Sequence, residues 1–504
     1  MSSVHAQLAS FVQRAFSVAV TEVTLFPGRM RASRLLFVLA WLAGAAVLVR
    51  AEDFPARFEA LKAAATPRQL FTLLYDLPKG GDLHHHSGGS NIPEWTLALL
   101  CDPARNGGDA FYTRLRFSAP PDAISPVARF RTVRRLTFEA MPPAVQREYV
   151  ALTDLTAAER EAWCNAFRLD EKDEGRVEFF QHLWPRQADF LRNPHVRFEL
   201  LAENIKAFAA EGLRYLEAQL GVDGLQSLKG ELLSRDEGLG LLRERLSRPD
   251  IVSTGLVVRF QEGILRFSPK AEEALDETYA WVSAHRDLWV GLNMVGIEEN
   301  GKGYPLRFLE AFRTLRRRFP TLPLSIHAGE MDGPDHHIRD TLLLGASRIG
   351  HGINLIRDPD TLLLLQQSRR VLIEINLISN RLLEYIPDLS VHPFPELLRT
   401  GVPVCLNTDD RGMWDSSMTD EYFTAVTTFN LSWDELVQLG RNSLAFSFAQ
   451  PEVKAALLAD YEARVAAFVA RYQNGTVAEA LARLNSVRPV SYGYARRTWG
   501  LSFP

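Results

Sequence analysis

The chain is 504 residues long, 46% hydrophobic and 23% charged, with a formal net charge of -4. That is a globular composition with room for one large domain carrying insertions or for two ordinary ones. It lacks the basic footprint of nucleic-acid binders, so a small molecule is the expected partner. The three cysteines, Cys101, Cys164 and Cys405, are too few for a disulfide scaffold and form no CxxC or Cys/His finger pattern.

Arg31 and Arg34 precede an apolar run of fourteen residues, Leu35 to Leu48. The run is short of the ~20 residues a membrane span needs. Val49-Arg50-Ala51 then presents apolar or small residues at the positions that decide signal cleavage. Segment 1–51 therefore reads as an export signal that would begin naturally at Met30. It predicts a periplasmic or secreted protein with no stable membrane association after cleavage; an uncleaved anchor is the other reading.

Residues 52–80 form an expected helical extension: Phe54, Phe58, Leu61, Leu70, Leu73 and Leu74 have helical spacing, interrupted at Pro67 and stopped at Pro78-Lys79-Gly80-Gly81. Gly81 to His86 reads as a strand, in which His84 and His86 share one face and His85 points away. Ile92 to Leu100 suits a helix. The stretch 101–177 differs in character, punctuated by Gly107-Gly108, Pro120-Pro121 and Pro142-Pro143, and is expected to be a capping insertion. Cys101 and Cys164 bracket most of it, as a disulfide or as free thiols.

Beyond Val177 short apolar strands alternate with helices such as Leu306 to Phe319 and Thr361 to Ser368. The strands are Leu213 to Gln219, Thr254 to Gln261, Trp289 to Val295, Leu324 to His327, Arg348 to Gly350, Val371 to Ile375 and Val402 to Leu406. With Gly81 to His86 they make eight, and the rhythm predicts an α/β fold, a (β/α)8 TIM-type barrel over 81–480. Helical sequence from Trp433 to Tyr472 is expected to close the barrel bottom, and 481–504 to be a C-terminal tail.

In such a barrel chemistry sits at the C-terminal ends of the strands. The polar residues collect there: His84 and His86, Glu217 and Gln219, Gly296, His327, His351, Asn376, and Asp409-Asp410. A core histidine or a solvated carboxylate explains any one of these but not their shared position. His84, His86, His327 and Asp409 have the chemistry of a zinc ligand set. Glu330, His351 and Asp410 remain to move protons or hold substrate, with Glu217 as a further substrate contact. Glu330, desolvated in the barrel mouth, would have its pKa raised and could donate a proton near neutrality.

Pro78-Lys79-Gly80 before the histidine pair, SIHAGE (Ser325 to Glu330), RIGHG (Arg348 to Gly352), EINLISN (Glu374 to Asn380), His392-Pro393 and LNTDD (Leu406 to Asp410) together resemble the adenosine deaminase family of the amidohydrolase superfamily. The likeness is to its secreted branch, the adenosine deaminase-related growth factors, and runs from about 207 to 453. It implies one zinc ion on His84, His86, His327 and Asp409. It also implies that Glu330 protonates the purine ring nitrogen beside the amine-bearing carbon, that His351 orients and helps deprotonate the attacking water, and that Asp410 contacts the imidazole nitrogen. Gly296 would offer its backbone to the base, and a homodimer is implied as well.

The implied reaction is deamination of adenosine or a related 6-aminopurine to the 6-oxo product and ammonia. Other hydrolysis of a cyclic amide or modified purine, and a non-catalytic secreted nucleoside-binding protein, are the competing readings. Four departures keep the substrate open. Ser87-Gly88-Gly89 replaces the acidic residue expected after the histidine pair, Gln219 an arginine, Asn376-Leu377 a Cys-Pro, and Arg411-Gly412 a Pro-Ala type pair.

Overall fold

Eight short parallel strands frame the molecule. In chain order they are β1 (Gly80–His86), β2 (Leu213–Gln219), β3 (Val257–Leu265), β4 (Trp289–Val295), β5 (Leu324–Ala328), β6 (Arg348–His351), β7 (Leu372–Ile375) and β8 (Val404–Leu406). Each is hydrogen-bonded to the next in sequence. The ring closes between β8 and β1: the Asp409 amide donates to the His84 carbonyl at 2.9 Å and the His86 amide to the Asp409 carbonyl at 3.2 Å. This is the expected (β/α)8 barrel. The computed structural model describes residues 54–118, 120, 124–298, 301–331 and 336–503. The expected signal, 1–51, lies outside them, and no described helix is long and apolar enough to cross a membrane.

Two strands start two or more residues later than their apolar runs. β3 begins at Val257 rather than Thr254, because Thr254 hydrogen-bonds back to the Ile251 carbonyl and Gly255 turns through a positive φ; the strand then runs on to Leu265, paired with β4. β8 begins at Val404 because the Val402 amide is spent on the Leu397 carbonyl and Pro403 has none to give.

The N-terminal extension is two helices, Phe54–Ala64 and Pro67–Asp76. Pro67 does not break a helix but begins one: Thr66 and Gln69 form a reciprocal cap with proline at the first helical position. Lys79, fully buried, donates to the carbonyls of Tyr75, Leu77 and Glu211, which fastens the end of that helix to β1. Under the barrel, Trp433–Ala445 and Pro451–Gln473 follow as expected. Gly80 has φ +77, and a side chain there would meet the Gly440 carbonyl oxygen at 2.3 Å, so the helix can lie directly against β1.

The insertion holds a three-stranded antiparallel sheet, Phe111–Arg114 between Thr132–Arg134 and Tyr149–Ala151, packed with the helix Ala157–Asn165 around Trp163, Phe167 and Phe190. It extends past the expected limit of 177. Residues 176–187 pass through a π-turn, Phe179–Leu183, just before Pro185, which has no amide to continue an α-helix. Cys101, Cys164 and Cys405 are free thiols. The C-terminal stretch is not a loose tail. Its helix Gly493–Trp499 buries Tyr494 beside Met413 and Trp414, and Arg497 pairs with Asp415 at 3.0 Å.

Candidate active site

Strand alternation places His84 and His86 on the inner face of β1, while His85 turns outward, bonded to the Ser90 hydroxyl at 3.1 Å and edge-on to Phe208. The tautomers of two histidines follow from their partners. The Nδ1 of His84 donates to Glu374 at 2.8 Å, and that of His327 to the Asn293 side-chain oxygen at 2.9 Å. Each Nε2 lone pair is thereby aimed at the barrel axis. The His84 Nε2 is buried with no hydrogen-bond partner; it lies 3.5 Å from Asp409 Oδ1, which is 3.1 Å from His86 Nε2. The Nε2 atoms of His86 and His327 face each other at 3.2 Å. Lone pairs crowded this closely suit a cation between them: the ring nitrogens of His84, His86 and His327 lie within 4.8 Å of one another, Asp409 joins them through His84 and His86, and three imidazoles with a carboxylate suit zinc.

The supports behind this cluster are buried and charged. Glu374 is held by Arg348 at 2.7 Å and by the Ser325 hydroxyl at 2.9 Å. Burial alone would push the Asp409 carboxyl up, but the imidazoles of His84 and His86 beside it hold it well below the usual range. Asp409 and His351 both adopt left-handed backbone, φ 54 and 63. Non-glycine residues rarely do so without being pinned by their surroundings.

Glu330 and Asp410 behave oppositely to Asp409. Burial, then the charges of Asp409 and Glu298, raise the Glu330 carboxyl well above its ordinary range; burial and Asp409 do the same for Asp410. The chain at Glu330 is fixed by Glu298, whose carboxylate accepts the amides of Gly329 at 3.0 Å and Glu330 at 2.9 Å.

The state of His351 is set from a distance. The Phe394 amide can only donate, and it donates to His392 Nδ1 at 3.1 Å, so His392 carries its hydrogen on Nε2 and gives it to the Asn380 side-chain oxygen at 3.0 Å. The Asn380 amide nitrogen must then face His351 Nδ1, at 2.9 Å. His351 is thus a neutral imidazole with its hydrogen on Nε2, 3.5 Å from Glu330 Oε1. Burial agrees, lowering its pKa to about 3. In this state it can orient an oxygen at the site but not take a proton from it, which narrows the role implied by the resemblance.

The expected residues converge on one cavity of about 330 Å³, lined by His86, His327, Glu330, His351, Asp409, Asp410 and Gly296. Gly296 has φ +102, and a side chain there would strike the Phe267 ring at 2.6 Å. Of the expected site residues, His84 lies behind this lining, next to Asp409, and Glu217 stands apart. It lies two residues before the strand end, one layer below the mouth, where its carboxylate takes Arg348 at 2.6 Å, the Tyr215 hydroxyl at 2.7 Å, Gln261 at 3.0 Å and the Phe448 amide. It holds the barrel interior together and does not line the cavity.

Sequence reasoning missed the cavity's apolar wall, Phe179, Phe180, Trp184, Leu265, Phe267 and Leu383. The first three come from the end of the insertion, where no periodicity marks them; only their aromatic clustering is visible. Glu298, two residues after Gly296, was open to the strand-end argument and went unused.

A family model described as adenosine deaminase matches residues 144–463. An adenine deaminase from Chelativorans sp. is 31% identical over 283 residues, 54% of this chain and 81% of that protein. Adenosine deaminase 2-A of Danio rerio is 24% identical, over 79% and 81% of the two chains. An adenosine deaminase of Enterococcus faecalis is 36% identical over 165 residues, 33% of this chain, and this match spans about half of that relative, 47%. Among solved structures, an adenine deaminase from Arthrobacter aurescens superposes with TM-score 0.56 at 22% identity, covering 77% of this chain and 99% of that one. An amidohydrolase from Burkholderia ambifaria with bound zinc does so with 0.58 at 19%, covering 83% and 96%. At these identities the structures speak to the fold.

Proposed function

The chain belongs to the adenosine deaminase family, and from that premise we propose that it is a zinc-dependent hydrolase that releases ammonia from the 6-amino carbon of adenosine or a related 6-aminopurine. The observation that carries the reading is the pairing of two kinds of carboxyl within one cavity. Asp409 sits against His84 and His86, which draw its carboxyl down, while burial drives Glu330 and Asp410 the other way, toward the protonated form. A hydrolytic deaminase needs that division, with a charged ligand on one side and a proton donor on the other.

His84, His86, His327 and Asp409 would hold the zinc ion. When bound there it supplies Lewis acidity and makes water nucleophilic near neutral pH. Glu330 donates its proton to the ring nitrogen next to the amine-bearing carbon, which drains electron density from that carbon and opens it to attack. His351 holds the attacking oxygen through its Nε2 hydrogen; of that water's two protons one passes to the departing amine, which leaves as ammonia, and one returns to Glu330. Asp410, neutral, donates to the imidazole nitrogen of the purine, and the aromatic wall covers the ring and excludes bulk water. Export of the chain is part of the proposal, resting on the run Leu35 to Leu48 behind Arg31 and Arg34.

The test is Glu330→Gln, which keeps the shape and the hydrogen bonds of the backbone but removes the acid. It is expected to retain one zinc per chain and an unchanged melting temperature while losing at least about 10²-fold in ammonia release, the lower range for a general acid. Turnover within a few-fold of the parent would sink the assigned role.

A further inference from the structure

The segment from His327 to Glu330 carries both a metal-binding imidazole and the acid, and it leaves β5 through a turn at Gly329, φ +71, where a side chain would meet Ile338 at 2.6 Å. The turn sends the amides of Gly329 and Glu330 the same way, and successive amides so aligned make a small anion-binding nest. The chain fills this nest itself. Glu298, buried three residues past the end of β4, sets one carboxylate oxygen on each amide, Oε1 at 3.0 Å from Gly329 and Oε2 at 2.9 Å from Glu330. Only a carboxylate offers two acceptors in that spacing; a neutral amide side chain offers one.

Glu298 is held in turn from both sides. Nδ1 of His337, at the start of the helix His337–Leu344 after β5, donates to its Oε1. Arg266, the residue after β3, is fully buried and supplies the opposite charge. Burial works against the Glu298 carboxylate, but the His337 hydrogen bond and the Arg266 cation outweigh it and hold the carboxyl below its usual range. Arg266 also takes the same segment directly, donating to the His327 carbonyl at 2.8 Å. The remaining ties are uncharged: the Asn354 amide meets the Gly329 carbonyl at 3.2 Å, and the Asn354 side chain meets the Met331 carbonyl at 2.8 Å. Glu298 does not line the cavity, so whatever it does for the reaction passes through Glu330.

We propose that Glu298 is a positioning residue for proton donation: its two-point grip on the Gly329 and Glu330 amides fixes where the Glu330 carboxyl stands, with Arg266 and His337 keeping the grip in place. The proposal rests on the deaminase reading and adds to it a residue that substrate never touches. Glu298→Gln keeps the shape, but its amide nitrogen must face one of the two backbone N–H groups, so one point of the grip is lost. Whichever of adenosine, adenine and AMP is turned over fastest is used to measure kcat and KM for four zinc-loaded proteins: the parent, Glu298→Gln, Glu330→Gln and the double variant.

Glu298→Gln is expected to lower kcat at least about tenfold in the parent background, the cost of a displaced acid, with KM within about twofold and zinc content unchanged. In the Glu330→Gln background the same substitution should change kcat by less than about twofold, because no acid is left to misplace. A kcat within about twofold of the parent, or an equal loss in both backgrounds, would overturn the proposal, the second by assigning Glu298 to the fold alone. If Glu298→Gln does not fold, Glu298→Asp, which keeps the charge but draws it back by a methylene, goes through the same cycle. If no 6-aminopurine loses ammonia, the deaminase reading fails by itself, and amide hydrogen exchange in the peptide 324–331 judges the grip. Faster exchange in the variant than in the parent supports it; exchange no faster overturns it.

Discussion

His392 shows how one side chain can govern another that does not touch it. Because the Phe394 amide occupies its Nδ1, His392 can serve only as a neutral donor to Asn380, and that choice is handed on to His351. Burial lowers its pKa from 6.5 to about 3. The unfolded chain then binds a proton between those values that the folded chain refuses, so the stability contributed by His392 is complete above pH 6.5 and is lost as pH falls toward 3. Melting temperature measured from pH 7 to pH 4 is expected to drop more steeply for the parent than for His392→Gln; parallel curves would show that the histidine is not held neutral.

At the scale of elements, the turn after β1 ties sequence to site most tightly. Ser87-Gly88-Gly89 stands where the resemblance leads one to expect an acidic residue, and the space beside each glycine has its own occupant. Gly88 admits Trp184, and a side chain on Gly89 would lie 1.6 Å from Asp410 Oδ1. Gly89→Ala is therefore expected to push the Asp410 carboxyl aside and cost about 10²-fold in kcat/KM, the scale of a 1 Å misplacement, with little loss of melting temperature. Unchanged kinetics would mean that Asp410 does not need its observed position.

The strand β6 makes a second case. Arg348, fully buried, bridges Glu217 and Glu374, and through Glu374 it steadies His84. Arg348→Met leaves two buried carboxylates without their cation, and a loss of about 3–5 kcal/mol by chemical denaturation is expected. A loss below about 1 kcal/mol would show the network to be redundant.

For the whole molecule, what was legible in the sequence was what repeats. Strands buried on both faces read as unbroken apolar runs, and a barrel puts its chemistry at one end of each, so sequence alone gathers His84, His327, His351 and Asp409. Glu217 was misplaced because alternation fixes the face of a residue but not its depth, and two positions along β2 separate an interior ion pair from the mouth. The aromatic wall was invisible for another reason. Phe179, Phe180 and Trp184 come from irregular chain whose π-turn follows no sequence period, and their meeting with Gly296 and Leu383 is purely tertiary. The C-terminal helix likewise gave no periodic signal over its seven residues, Gly493–Trp499, and is held by Asp415 and by a core it shares with the chain just after β8.

The proposal at the centre is that a single ion, held by four residues from β1, β5 and the end of β8, would make this barrel a purine deaminase. The most direct measurement is ammonia released from adenosine by the full chain, first stripped of metal and then titrated with zinc. Release should be absent from the stripped protein and rise in proportion to zinc up to one ion per chain, with one 6-oxopurine formed for each ammonia. Ammonia release undiminished by metal removal, or none from adenosine, adenine or AMP at full zinc occupancy, would contradict it.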